Sequence, residues 1–342
     1  MGPAAVERFT VKISRLFRFL VLNSWCFLSA SLLALGDLRG ADGPRGIIVI
    51  GAPGEPTYAE AFERQLEGWR TAFERAGAAG LTVIGQGENA DGVTDLQRLR
   101  DELGTVVTEP ARELWIVLIG HGTFDGKEAK FNLRGPDLTV DDLVAWTKPL
   151  KQPHALIVAS AASAPFLGKL SAPGRIVVVA TRSGYEQNYV RFGGYLAEAI
   201  GDPEGDLDRD GQTSLLEAFL SAAHRTSDFY KTDRRLMTEH ALLDDNGDGL
   251  GTPADWFRGT RAIKKTQGGK TLDGARARQW HLLKSADEIA LAPQQRERRD
   301  ALELQIEALR EDKASQPELE YWKKLETLLS ELAQVYATPA SS

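Results

Sequence analysis

The chain has 342 residues and a formal net charge of −7, with 42% apolar and 26% charged residues. That balance is ordinary for a globular protein and allows one substantial core plus appended elements. An acidic chain without a basic face excludes nucleic acid as a partner, because binding phosphates needs clustered Lys and Arg.

The N-terminus carries Arg8, Lys12, Arg15 and Arg18, followed by a mostly apolar stretch over 19–36 that closes on Ala34-Leu35-Gly36. A positive flank, an apolar core and small residues at the end form a signal peptide over 1–36. The apolar stretch is long enough that an uncleaved N-terminal anchor is the alternative. In both cases the positive flank stays in the cytoplasm and the remainder is exported, periplasmic or secreted. Cleavage after Gly36 removes four basic residues and one acid, leaving 37 Lys+Arg against 47 Asp+Glu and a net charge of −10. It also removes Cys26, the only cysteine, so no disulfide can contribute to stability in the oxidising compartment.

Residues 37–201 read as an α/β domain. Nearly continuous apolar runs at 47–50, 81–84, 114–119, 155–159 and 176–180 are the pattern of strands buried on both sheet faces. Between the first two, Tyr58, Phe62, Leu66, Trp69 and Phe73 recur every three or four residues, the apolar stripe of a helix. Thr139 with Asp142 forms a capping pair for another helix. Strand–helix–strand alternation predicts a mostly parallel sheet in a three-layer arrangement with helices on both faces. Function in such sheets sits at the carboxyl ends of the strands.

Two of those ends carry polar residues. The run 114–119 leads into Gly120-His121-Gly122, and the run 155–159 leads into Ser160-Ala161-Ala162-Ser163. Together with Val178-Val179-Ala180-Thr181-Arg182-Ser183-Gly184, these residues resemble the legumain/caspase-type cysteine peptidases, bacterial relatives in particular, over about 47–200. The resemblance implies a caspase-like fold, His121 as general base and Gly122 as an oxyanion-hole N–H donor. In that family the second strand ends Asp-Ala-Cys-x-Ser-Gly. Those positions fall here on Ala159, Ser160, Ala161, Ser163 and Ala164. No register supplies a cysteine. A serine attacks only if a base removes its proton during attack, and neither Ser160 nor Ser163 lies in a Gly-x-Ser-x-Gly elbow. His154, His224, His240 and His281 form no close metal-ligand spacing and are expected at the surface or as caps.

Residues 202–260 form an acidic-loop region. The stretch 206–217 matches a twelve-residue EF-hand loop: Asp206, Asp208 and Asp210 for carboxylates, Gly211 for the sharp turn, Gln212 through its backbone carbonyl, Ser214, and Glu217 as the bidentate closing ligand. Calcium takes six to eight hard oxygens, and this spacing delivers them, so structural Ca2+ is the expected cofactor. An exit helix follows from Leu215. A second stretch offers Asp244, Asn246, Asp248 and Asp255, with Gly251 and Pro253 preventing a helical exit.

Residues 261–292 read as an exposed connector and 293–337 as an antiparallel helical hairpin. Its stripes are Leu302, Ile306 and Leu309, then Leu319, Trp322, Leu325, Leu329, Leu332 and Tyr336. Three functions fit: a pseudopeptidase binding a peptide or protein, a hydrolase using Ser163 or Ser160 with His121, and a calcium-stabilised assembly module self-associating through the hairpin.

Overall fold

The structure, a computed structural model, describes residues 43–89, 92–110, 112–269 and 271–337. The expected signal peptide or anchor and Cys26 lie outside the described residues. No helix among the described residues is long and apolar enough to cross a membrane.

A mixed α/β architecture with a mostly parallel sheet is observed. The parallel strands are β1 (Arg45–Ile50), β2 (Gly80–Ile84), β3 (Leu114–Ile119), β7 (His154–Ala159) and β8 (Arg175–Val179). Their spatial order is 2-1-3-7-8. Two short strands then extend the sheet in antiparallel sense, β9 (Leu242–Asp244) against β8 and β10 (Thr252–Pro253) against β9. Sequence patterning missed this antiparallel edge, because its strands are too short for a period to show. Between β3 and β7 a small antiparallel sheet is formed by β4 (Gly122–Phe124), β5 (Ala129–Phe131) and β6 (Leu138–Thr139).

Alternate residues of each strand enter opposite cores. Ile48, Trp115, Val117, Ile157 and Val178 pack with Phe62, Leu66, Trp69 and Phe73 of α1 (Pro56–Arg75). They also meet Leu196 of α5 (Phe192–Ala199) and Phe219 of α6 (Leu215–Thr232). Ile47, Val49, Ile116, Val158 and Val177 pack instead with Leu99 of α2 (Asp95–Val106), Leu143 of α3 (Val140–Thr147) and Phe166 of α4 (Ala164–Leu170). Both faces are therefore dry, which is why the strands read as unbroken apolar runs. Deleting one such side chain, as in Leu66→Ala, costs about 2–5 kcal/mol. Thr139 and Asp142 do form the reciprocal capping box at α3.

The strand order positions the site. From β1 the chain moves one way to β2, then jumps back past β1 to β3 and continues in that direction. Open parallel sheets place their sites at such a reversal, here the carboxyl ends of β1 and β3, which Asn132 bridges by accepting from the Ala52 N–H and donating to His121 O. His121 follows β3 and Pro53 follows β1.

The region expected to be an exposed connector differs from that expectation. Ala277, His281 and Leu282 are buried, and the Leu215 N–H donates to Trp280 O at 2.8 Å, tying the segment to the start of α6. The segment carries two short helices, α7 (Ala275–Arg278) and α8 (Ala286–Ala290), and beyond it come α9 (Pro293–Glu311) and α10 (Glu318–Ala337), separated by a 3-10 turn. Gln295 Nε2 donates to Val335 O at 3.2 Å, so the start of α9 lies beside the end of α10. Leu302, Ile306 and Leu325 are buried as the stripes require, with Tyr321 and Val335 joining them. Leu319, Trp322, Leu329 and Tyr336 are exposed instead, because the inward face of α10 is rotated toward Tyr321 and Leu325.

Candidate functional site

At the end of β3 the His121 ring is half-buried and enclosed by aromatic side chains. Tyr58 lies at 4.7 Å between ring centroids, Phe62 at 5.2 Å and Tyr189 at 6.2 Å. Its Nε2 is 3.2 Å from Pro53 O. A carbonyl only accepts, so the proton of the neutral ring sits on Nε2 and the free lone pair on Nδ1. Among the described residues this is the ring's only hydrogen bond. Neither Ser160 nor Ser163 bonds to it.

Both serines are fully buried. Ser160 donates to Ala161 O at 3.2 Å. Ser163 Oγ accepts from Ala180 N at 3.1 Å and Thr181 N at 3.2 Å, and shares a hydrogen with Thr181 Oγ1 at 3.1 Å. It thus ties the β7 turn to the end of β8. Ala161, where the resemblance would put a nucleophile, is 3% exposed and belongs to the core packed on α1. Its carbonyl oxygen stands so close over Gly122 that no β-carbon would fit there, which accounts for glycine at 122. Ala162 adopts φ 53°, a left-handed conformation costly for a non-glycine residue, and its N–H donates to Glu186 O at 2.8 Å.

Sequence reasoning did not single out Glu186. Its carboxylate accepts from Arg182 N and His240 N and pairs with His240 Nδ1. His240 is therefore held to Glu186 by two hydrogen bonds, one from its backbone N–H and one at Nδ1. His154 and His281 are buried, at 3% and 6% exposure, where a surface place was expected. His154 lies at the amino end of β7, where neighbours exclude water. Burial and the Arg175 charge lower it to about 4, against the Gln152 O bond to Nδ1 that favours the charged form. The structure also encloses a cavity of about 1070 Å3 between α6 and the segment 237–259, with Arg182 and His240 at one end.

In the first acidic loop, Asp206 accepts from Asp210 N and Gly211 N at 3.1 and 2.9 Å, and Asp210 from Gln212 N at 3.0 Å. Gly211 has φ 86°, the turn the spacing requires. Glu217 is 1% exposed. One of its oxygens accepts from Leu207 N and Asp208 N, the other from Ser214 N and the Ser214 hydroxyl, so it closes the loop and caps α6 at once. Oxygens of Asp206, Asp208 and Asp210 lie within 4.8 Å of one another. Burial, with the negative charges of Glu217, Asp210 and Asp206, pushes Asp208 up to about 6. A hard cation would relieve that repulsion, and the donors are all oxygens, so the residues present fit calcium.

The second loop repeats the start of the first. Asp244 accepts from Gly249 N at 2.7 Å, as Asp206 does from Gly211, and Asp248 accepts from Leu250 N at 2.9 Å, as Asp210 does from Gln212. Its closure is different. Asp255 lines the large cavity. The carboxylate on the loop's second and third N–H groups belongs to Asp273, which accepts from Asp245 N at 3.0 Å and Asn246 N at 3.3 Å. This is the place Glu217 takes in the first loop. No spacing rule could have found it, since Asp273 lies outside the twelve-residue frame.

Neither models of known protein families nor curated proteins match this chain.

Proposed function

We propose that this chain is an exported pseudopeptidase of the caspase/legumain type that holds a peptide or protein segment beside His121 without cutting it. The reading is carried by the residues at the β7 tip. A methyl group in the core stands where the nucleophile belongs, and both nearby hydroxyls are buried and engaged by the backbone. A serine hydrolase would need His121 within reach of an accessible hydroxyl, whereas His121 bonds to Pro53. The parallel strand order with an antiparallel extension, and a histidine after the third strand, support the caspase-like assignment.

The 206–217 loop would hold calcium through Asp206, Asp208, Asp210, the Gln212 carbonyl and Glu217. Bound there, the ion supplies charge neutralisation and rigidity and takes no part in peptide chemistry. A fluorophosphonate probe is expected to leave the protein unlabelled. Labelling that disappears in His121→Ala would replace this reading with the hydrolase.

Exposed Leu319 (82%) and Trp322 (48%) on α10 favour a second reading, self-association through the terminal helices. Light scattering of the chain and of a Leu319→Glu/Trp322→Glu variant separates the two. Equal monomer masses remove the assembly role.

A further inference from the structure

The cavity of about 1070 Å3 between α6 and the segment 237–259 has no role in the function proposed above. Its wall is mostly apolar, with Leu207, Leu220, Met237, Leu242, Pro253 and Trp256 among the side chains that line it. Leu207 is 54% exposed and Trp256 half-buried, so apolar surface is left to water there. A concave apolar wall of this size is what drug-sized ligands occupy. The charged groups around it fall into two sets. Each cationic or basic group already has an acid. Arg182 pairs with Glu186 at 3.4 Å, and Arg225 pairs with Glu198 while stacking 4.7 Å from the Tyr195 centroid. His224 and His240 have Asp228 and Glu186 at their Nδ1 atoms. The acids are not matched in the same way. Glu217 is engaged by backbone N–H groups. Glu204 and Asp255 are exposed, and neither carboxylate has an ion pair or hydrogen bond among the described residues. Both stand on segments fastened to the first turns of α6. The Leu207 N–H donates to Glu217 at 2.8 Å, and the Phe257 ring lies 6.5 Å from that of Phe219. Trp256, next to Asp255 in the chain, lines the cavity with no cation over its ring among the described residues.

These groups select a ligand by its chemistry. The apolar wall excludes a small hydrophilic ion, which would lose its hydration for nothing. Cations that are already matched offer an anion no free partner. Two free carboxylates beside an indole attract a positive charge, and the chain's net charge of −7 adds to that attraction. We propose that this cavity binds an organic cation with an apolar body, the body against Leu220, Met237 and Trp256 and the charge toward Glu204 and Asp255. The site is separate from the one beside His121, with which it shares no lining residue, and the proposal does not depend on the peptide-holding reading.

Isothermal titration calorimetry of the chain at neutral pH, with calcium present, tests this with three ligands of one shape. They are 2-naphthylmethylamine, 2-naphthylmethanol and 2-naphthoate, which share an aromatic body and differ in charge. The amine is expected to bind about tenfold tighter than the alcohol, and the carboxylate most weakly. The double variant Glu204→Gln/Asp255→Asn changes two exposed side chains without packing roles and should bring the amine to the affinity of the alcohol. Trp256→Leu should weaken the amine more than the alcohol, because the indole face is lost while the apolar wall is kept. Equal affinities of amine and alcohol, tighter binding of the carboxylate, or an amine preference unchanged in the double variant would each overturn the assignment. So would the absence of binding by all three.

Discussion

Ser163 and Glu217 invite comparison. Each is a buried polar side chain at a place where chemistry is expected, and each has its oxygens engaged by backbone N–H groups. At the β7 tip nothing is left over: the hydroxyl holds two strand ends together and has no capacity to attack. At the acidic loop three further carboxylates converge near Glu217, and burial, with the charges of Glu217, Asp210 and Asp206, pushes Asp208 up to about 6. A hydroxyl whose capacity is used up by backbone N–H groups is scaffolding, whereas carboxylates that converge keep a negative charge that backbone N–H groups offset only in part.

That contrast breaks most directly with calcium. At a hundredfold excess over its dissociation constant, calcium should stabilise the native chain by about 2.7 kcal/mol, read as a higher Tm than in chelator. Glu217→Gln should cancel most of the gain. No shift in either protein would remove the metal from the account. Ser163→Ala should cost about 1–3 kcal/mol, because the Thr181 N–H loses its buried acceptor. An unchanged midpoint in urea would mean that Ser163 is not a tie.

His154 probes the same logic at the amino end of β7, where a buried nitrogen, Nε2, has no partner among the described residues. Its folded pKa is lowered to about 4, below the ordinary value of about 6.5 for the unfolded chain. The unfolded state therefore binds the proton first. The contribution to stability is complete above about pH 6.5 and is lost as the pH falls toward 4, by about 2 kcal/mol at pH 5. His154→Asn, keeping a donor toward Gln152 O, should flatten urea midpoints over that range, and an equally steep profile would assign the dependence elsewhere. The smallest effect is expected of His121→Ala, about 1 kcal/mol or less, since the half-buried ring makes one hydrogen bond. A larger loss would make His121 a packing residue first.

Much of this protein is local, and what is local was legible. The five parallel strands announced themselves because burial on both faces demands uninterrupted apolar residues. The α1 stripe, the Thr139–Asp142 box and the 206–217 loop each lie within one helix or one turn of chain, where spacing alone determines which atoms meet. Other features depend on distant chain. The β9–β10 edge, the burial of His154 and His281 and the Glu186–His240 pair depend on segments tens of residues apart. So does the closure of the second acidic loop: Asp273 reaches it from 29 residues beyond Asp244, while Asp255, at the right spacing, is turned toward the large cavity.

The sequence by itself established the α/β layering, the absence of any cysteine besides Cys26 and the acidic spacing of 206–217, since each is written in residue identity and short-range periodicity. Tertiary structure alone decided what the remaining polar groups can do. The hydrogen-bonding capacity of a hydroxyl, an imidazole or a carboxylate is finite, and it is the fold that determines which partners use it up and which atoms are left for a ligand.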